Sequence, residues 1–283
     1  MERSIPLEEL RSEIIRLGDV LRASDPHRRM IGVHPPGRLL GTVREFNGKA
    51  AWMDFGDYQQ NYAQLHQRIL EARHFGKPVV NAEYAYWLRD ANSDGRVDKA
   101  NSYGLTEIGA ATWDIVMAGG YVVTGFGSSY LGGARHRTTF LPDDHANEPW
   151  IEQVGMIKNI FESLEYWTLE PRDECLSSSE PRGEGEVAPG ENGGVESGVT
   201  KAPDTAYWCL ANPGKLYVVY VRGVTEPVVL SDEGLAQRSW RIDGFDPRTG
   251  ARQLIDVAPE GASLLRLTAP DTRDWVFIAR PAG

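Results

Sequence analysis

The chain has 283 residues, room for one large domain or two smaller ones, and 41% of them are hydrophobic, enough to build a core. A net charge of −10 excludes the basic face that a nucleic acid or an anionic membrane surface needs, so neither is expected as a partner. No apolar run approaches the ~20 residues of a membrane span, Met1-Glu2-Arg3-Ser4 opens no signal-peptide pattern, and Cys175 with Cys209 allows one bridge but no disulfide framework.

Ser4 and Pro6 open a helix in which Leu7, Leu10, Ile14, Leu17 and Leu21 recur at helical spacing, predicting one buried stripe. Met30 to His34 reads as a short apolar strand ending in a histidine and two prolines. Ala50 to Phe55 reads as a second strand, ending at Asp54, and Tyr58 to Phe75 as a helix. Lys77-Pro78-Val79-Val80-Asn81-Ala82-Glu83-Tyr84-Ala85-Tyr86-Trp87 follows, with proline at a harmless strand start and a carboxylate ringed by aromatics at the strand's end. That ending suits a strand that opens into a cleft, as parallel strands do at their carboxyl ends. Thr106 to Ala118 is a helix, Tyr121 to Gly125 a fourth strand and Trp150 to Leu164 another helix. Strands alternating with helices predict a parallel sheet with right-handed crossovers.

Residues 172–202 hold Gly, Ser, Pro and Glu with few apolar residues and read as a flexible acidic linker. Seven short strands follow: 206–210, 215–222, 227–230, 240–244, 252–257, 263–267 and 275–279. Turn signals such as Asn212-Pro213-Gly214 separate them, predicting a small antiparallel sandwich.

The Glu83 stretch resembles the seventh-strand motif of clan A glycoside hydrolases, and within that clan it is most similar to the apiosidase-like family, often labelled collagenases. The likeness covers most of residues 20–170. Asp25-Pro26-His27 with Val33-His34-Pro35 is similar to the family's fifth strand, Trp52 to Phe55 with Gln59 to the sixth, and Gly119-Gly120-Tyr121 with Gly125 to the eighth. Residues 206–280 resemble, at Ala211 to Lys215, Asp246 to Gly250 and Asp274 to Val276, the collagen-binding-type sandwich that accompanies this family. The resemblance implies α/β plus all-β architecture: residues 1–171 as strands five to eight of a (β/α)8 barrel, a linker over 172–202, and a sandwich over 203–283. It also implies a retaining mechanism with Glu83 as nucleophile and no required cofactor. The fourth strand, which carries the general acid/base in this clan, is not found, so the sequence reads as a fragment needing a complementing N-terminal half barrel.

Retaining enzymes set two carboxyl groups about 5–5.5 Å apart. Asp54, at a strand end, is assigned to substrate hydrogen bonding, and His34 to a sugar hydroxyl or to orienting Glu83. Trp52, Tyr84, Tyr86 and Phe126 are expected to line a sugar platform. Asp90, Asn92, Asp94, the Arg96 carbonyl and Asp98 follow the calcium-loop spacing around Gly95, although Asn101 replaces the expected glutamate at the twelfth position. Two functional classes stay open: a glycoside hydrolase acting on a polysaccharide or its side chains, and a half barrel with sandwich that binds carbohydrate or protein without hydrolysis.

Overall fold

A computed structural model of the chain describes residues 6–34, 46, 50–59, 64–85, 103–123, 149–183 and 203–282. Helix α1 (Leu7–Ser24) carries Glu8 and Glu9 in its first turn and Arg22 in its last, each sign opposed to the helix dipole at that end. Its buried side is rotated from the expected stripe. Ile14 and Ile15 pack on Phe46, Ala50, Trp52 and Met53, while Leu17, Val20 and Leu21 are exposed. Gly18 is the reason: a Cβ there would lie 1.9 Å from the Trp52 ring, so the helix offers the indole its one position without a side chain. The indole Nε1 then donates to the Ile15 carbonyl at 3.1 Å.

Met30 to His34 forms no strand. The segment is instead tied to Asp54, whose amide donates to the Ile31 carbonyl at 2.8 Å and whose Oδ2 accepts from the Ile31 amide at 2.8 Å. The next strand is displaced from the expected 50–55. Residues 51–52 turn, burying Trp52, and strand β1 is Gly56–Gln59. It pairs in parallel with β2 (Val79–Glu83), which pairs in parallel with β3 (Tyr121–Val122). Helix α2 (Leu65–Arg73) connects the first pair and α3 (Leu105–Met117) the second, and α4 (Pro149–Glu162) follows β3. Three strands of the four expected are therefore present among the described residues.

Beyond α4 come β4 (Glu170–Pro171), β5 (Leu176–Ser177), β6 (Ala206–Asn212), β7 (Leu216–Arg222), β8 (Val228–Ser231), β9 (Trp240–Phe245), β10 (Arg252–Ala258), β11 (Leu264–Leu267) and β12 (Trp275–Pro281). They form a six-stranded antiparallel sheet, β10-β9-β12-β7-β6-β4, and a three-stranded one, β11-β8-β5. Leu176, Leu230 and Leu265 of the small sheet share one core with Cys209, Val219, Trp240 and Phe277 of the large one. A flexible linker from 172 does not hold for residues 172–183. Their strand β5 pairs with β8, the Arg182 guanidinium lies 4.3 Å from the Tyr207 ring centroid, and Asp173 Oδ1 accepts from the Cys209 amide at 2.7 Å. Cys175 and Cys209 are both free thiols buried there.

The large sheet is covered on its other face as well. Ala206, Trp208, Leu210, Val218 and Tyr220 pack against Trp113 and Met117 of α3 and Ile157, Ile160 and Phe161 of α4. Burial on two sides explains why β6 and β7 are almost continuously apolar. It explains α3 too, which is apolar nearly all round because its opposite side, with Ile108, Ala111 and Ile115, packs on the parallel sheet.

Buried polar groups fix this contact. Asp114 of α3 meets Arg222 of β7 at 3.2 Å and accepts from Trp208 Nε1 at 2.8 Å, while Arg222 also donates to the Tyr220 hydroxyl at 2.9 Å. His66 of α2 stacks on Trp208 with centroids 3.8 Å apart, and its ring nitrogens reach the Asp114 carbonyl (3.0 Å) and Asp173 (2.6 Å). Removing one partner leaves the other charge buried and uncompensated, so Asp114→Ala is expected to lower unfolding stability by about 3–5 kcal/mol. Denaturant unfolding measures this. The paired replacement Asp114→Leu with Arg222→Met should recover most of the loss, and a cost for Asp114→Ala alone below about 1 kcal/mol would mean that the pair behaves as a solvated one.

Candidate active site

Three side chains from three segments converge beside β1 and the carboxyl end of β2. His34 lies three residues after Ile31 in the segment clipped to Asp54, Asp57 is the second residue of β1, and Glu83 is the last of β2. His34 Nδ1 lies 3.0 Å from Asp57 Oδ2 and its Nε2 lies 3.0 Å from Glu83 Oε2. Asp57 is nearly buried and Glu83 largely so, whereas the imidazole side chain is 44% exposed.

Both ring nitrogens thus face carboxylate oxygens, which accept and cannot donate when ionised, so the ring suits the doubly protonated, cationic form. Burial pulls the His34 pKa down, but the hydrogen bonds to Glu83 and Asp57 and their charges outweigh it, and the net direction is up. Burial pushes the Asp57 pKa up against the opposing pull of His34.

The aim of Glu83 depends on an irregularity. Val79 and Tyr84 lie in one cluster with Leu65, Ile69 and Ile108 of the helices. Five residues apart, they would face opposite sides of a regular strand. The register between β1 and β2 shifts at this place: Tyr58 pairs with Asn81, but Gln59 pairs with Glu83. The extra residue supplies the change of side, sending Tyr84 into the helix layer and Glu83 towards His34. The Asn81 side chain holds the kink, its Oδ1 accepting from the Glu83 amide at 3.1 Å. Ala85, at φ 43°, then turns the chain away through a conformation costly for a non-glycine residue.

Several expected site residues lie elsewhere. Trp52 is buried under α1, with its indole N–H satisfied, and is no sugar platform. Tyr84 is fully buried, its hydroxyl sharing a 2.9 Å hydrogen bond with Thr112 of α3. Asp54 serves structure. It bonds Arg22 and the Ile31 amide, and that amide first, then Arg22, hold its carboxyl below the ordinary range. Tyr86, Phe126 and the Asp90, Asn92, Asp94, Arg96 and Asp98 loop lie outside the described residues, and among the described ones no three His, Cys, Asp or Glu side chains are arranged to hold a metal ion. Asp57 is the residue that sequence reasoning missed. With the strand placed at 50–55, Asp54 took the strand-end position, and the alternation of Asp57 with the core residue Tyr58 was the available signal.

No family model and no curated protein matches the sequence. Solved structures do. A glycoside hydrolase aligns over 94% of this chain and 60% of its own, with 16% identity and a TM-score of 0.66. A family 5 glycoside hydrolase from Bacteroides vulgatus aligns over 94% and 58%, with 15% identity and a TM-score of 0.64. The chain folds like part of these two glycoside hydrolases. A family 30 endoxylanase from Clostridium papyrosolvens is similar at a TM-score of 0.50, with 10% identity over 95% of this chain and 60% of its own. None of the three is named as an apiosidase or as bearing a collagen-binding domain. The chain spans about 60% of the length of these structures.

A histidine with a raised pKa contributes stability below the ordinary imidazole value of about 6.5 and loses that contribution as pH rises through its folded-state value. The melting temperature of the wild-type chain relative to His34→Gln should therefore decline with pH above about 6.5. Scanning calorimetry across that window checks it, and a difference that does not vary with pH would mean that the ring carries no charge between the two carboxylates.

Proposed function

We propose that Glu83 is the nucleophile of a retaining glycoside hydrolase acting on O-glycosidic bonds of a polysaccharide or its side chains. The observation that carries this reading is the Glu83 carboxylate at the carboxyl end of β2, hydrogen-bonded on one oxygen to His34 at 3.0 Å. The imidazole engages one oxygen of that carboxylate, leaving Oε1 to attack the anomeric carbon. The bond to the leaving oxygen breaks as an acid protonates it, and water then cleaves the glycosyl ester. His34 is the group that orients the nucleophile.

Asp57 is not the second carboxyl of the pair. The imidazole fills the space between it and Glu83, where the glycosidic bond would have to lie. We assign the acid/base to a strand–helix half completing the barrel, with no place for it among the described residues. Two exposed apolar flanks support such a half: Leu17, Val20 and Leu21 on α1, and Tyr121 with Val123 at what is the edge of the parallel sheet among the described residues. The antiparallel sheets are the brace of the barrel in this reading.

In the completed enzyme, Glu83→Gln should abolish turnover of aryl glycosides and leave substrate binding nearly unchanged, since the amide keeps the shape and cannot attack. Residues 1–283 alone should hydrolyse poorly, because acid/base assistance is worth about 10²–10⁴-fold. Normal turnover by Glu83→Gln would remove the assignment and favour the alternative of a carbohydrate- or protein-binding module. That second reading rests on the imidazole that stands between Glu83 and Asp57, where a retaining pair would hold the glycosidic bond. The Asp90 to Asp98 loop is proposed as a structural calcium site on its donor spacing. Calcium should raise the melting temperature and a chelator reverse the rise; no response to either would leave a glycine turn.

A further inference from the structure

We infer that Asp57 is a positioning residue that fixes the His34 ring against Glu83. His34 needs such an anchor. It lies in a segment that forms no strand, its side chain is 44% exposed, and among the described residues its hydrogen bonds go to Asp57 and Glu83. A ring held by Glu83 alone would rotate about that single contact, whereas a second acceptor at the opposite nitrogen sets both its plane and its distance from Glu83. Asp57 is suited to this because the paired strand fixes its backbone. It lies within β1, opposite Val80 of β2, and its side chain is only 10% exposed.

Asp57 is also a poor choice for packing. Its Oδ1 is buried without a hydrogen bond of normal geometry among the described residues, although the Tyr58 and Ala82 amides are near enough to act on its charge. A buried carboxylate with one good partner is costly, and an apolar side chain in this place would carry no such penalty. Stability alone does not explain the aspartate, but its one good bond, to the group that holds Glu83, does. Among the described residues, Asp57 and Glu83 are the charged groups that act on His34.

The catalytic consequence rests on the reading of Glu83 as nucleophile, but the geometric part does not, and the test separates them. Nitrogen-15 labelling of histidine in the full chain reads the His34 titration directly. Asp57→Asn should move it to lower pH and let the ring exchange between tautomers. In the completed enzyme the same change should lower kcat by about 10–100-fold, the range seen for carboxylates that orient ligand imidazoles, with KM little altered. The alkaline limb of the rate profile should move down with the His34 titration. Asp57→Glu keeps the charge and should retain a high His34 titration while lowering kcat.

An unchanged titration in Asp57→Asn overturns the inference. So does a lowered titration with normal kcat in an enzyme that Glu83→Gln inactivates. A lowered titration in an enzyme that Glu83→Gln leaves active supports the anchoring of His34 and removes instead the reading of Glu83. If Asp57→Asn does not fold, Asp57→Glu decides: lowered kcat with His34 still titrating high supports the inference, and unchanged kcat overturns it.

Discussion

The burial of α3 between two sheets is the constraint on which the rest depends. One side of the helix closes the core of the parallel sheet, and the other lies on β6 and β7. A helix wet on neither side cannot shift without exposing apolar surface on one face or the other. Asp114 makes the placement specific rather than merely greasy, since its carboxylate must meet Arg222 and Trp208 and its carbonyl must meet His66. His66 carries the same network to α2, whose ring stack on Trp208 couples a helix of the parallel layer to a strand of the antiparallel one. Both helices that flank β2 are thereby held, and β2 carries Glu83.

The antiparallel part was legible because its signals are local. Turns such as Asn212-Pro213-Gly214 and Asp246 to Gly250 break the chain where the strands end, and each apolar run between them is a strand. The short strands β4 and β5 lay hidden in a polar stretch, ordered by pairing with β6 and β8 rather than by their own composition. In the N-terminal part the decisive contacts are long-range. The stripe on α1 is displaced because Gly18 seats an indole from 34 residues further on, and Trp52-Met53, which has the composition of a strand, is spent instead on that helix. Composition alone placed the strand too early.

That displacement propagated into the site. Asp54 and Asp57 are three residues apart, and each is the right type of residue to close a strand. Asp54 became the clip for Ile31 and Arg22, and so determines where His34 is delivered without touching it. The aromatics misled for a related reason. Trp52 and Tyr84 each had a polar atom with a partner ready in the core, the Ile15 carbonyl for one and the Thr112 hydroxyl for the other. An aromatic so satisfied is a packing residue that sequence alone cannot tell from a platform.

Glu83 itself was legible as a carboxylate at a strand's end, but its direction was not. Strict alternation from Val79 would have placed Glu83 on the helix side, among Leu65, Ile69 and Ile108, where an ionised carboxylate would cost several kcal/mol. The strand avoids this by slipping one residue against β1, and the slip is held locally by Asn81 and ended by Ala85. Asn81 is fully buried, and an apolar residue there could not accept from the Glu83 amide. The polar break after Val79-Val80 is therefore the means by which the strand changes sides, and His34, brought in by Asp54, meets the carboxylate on the side to which it turns.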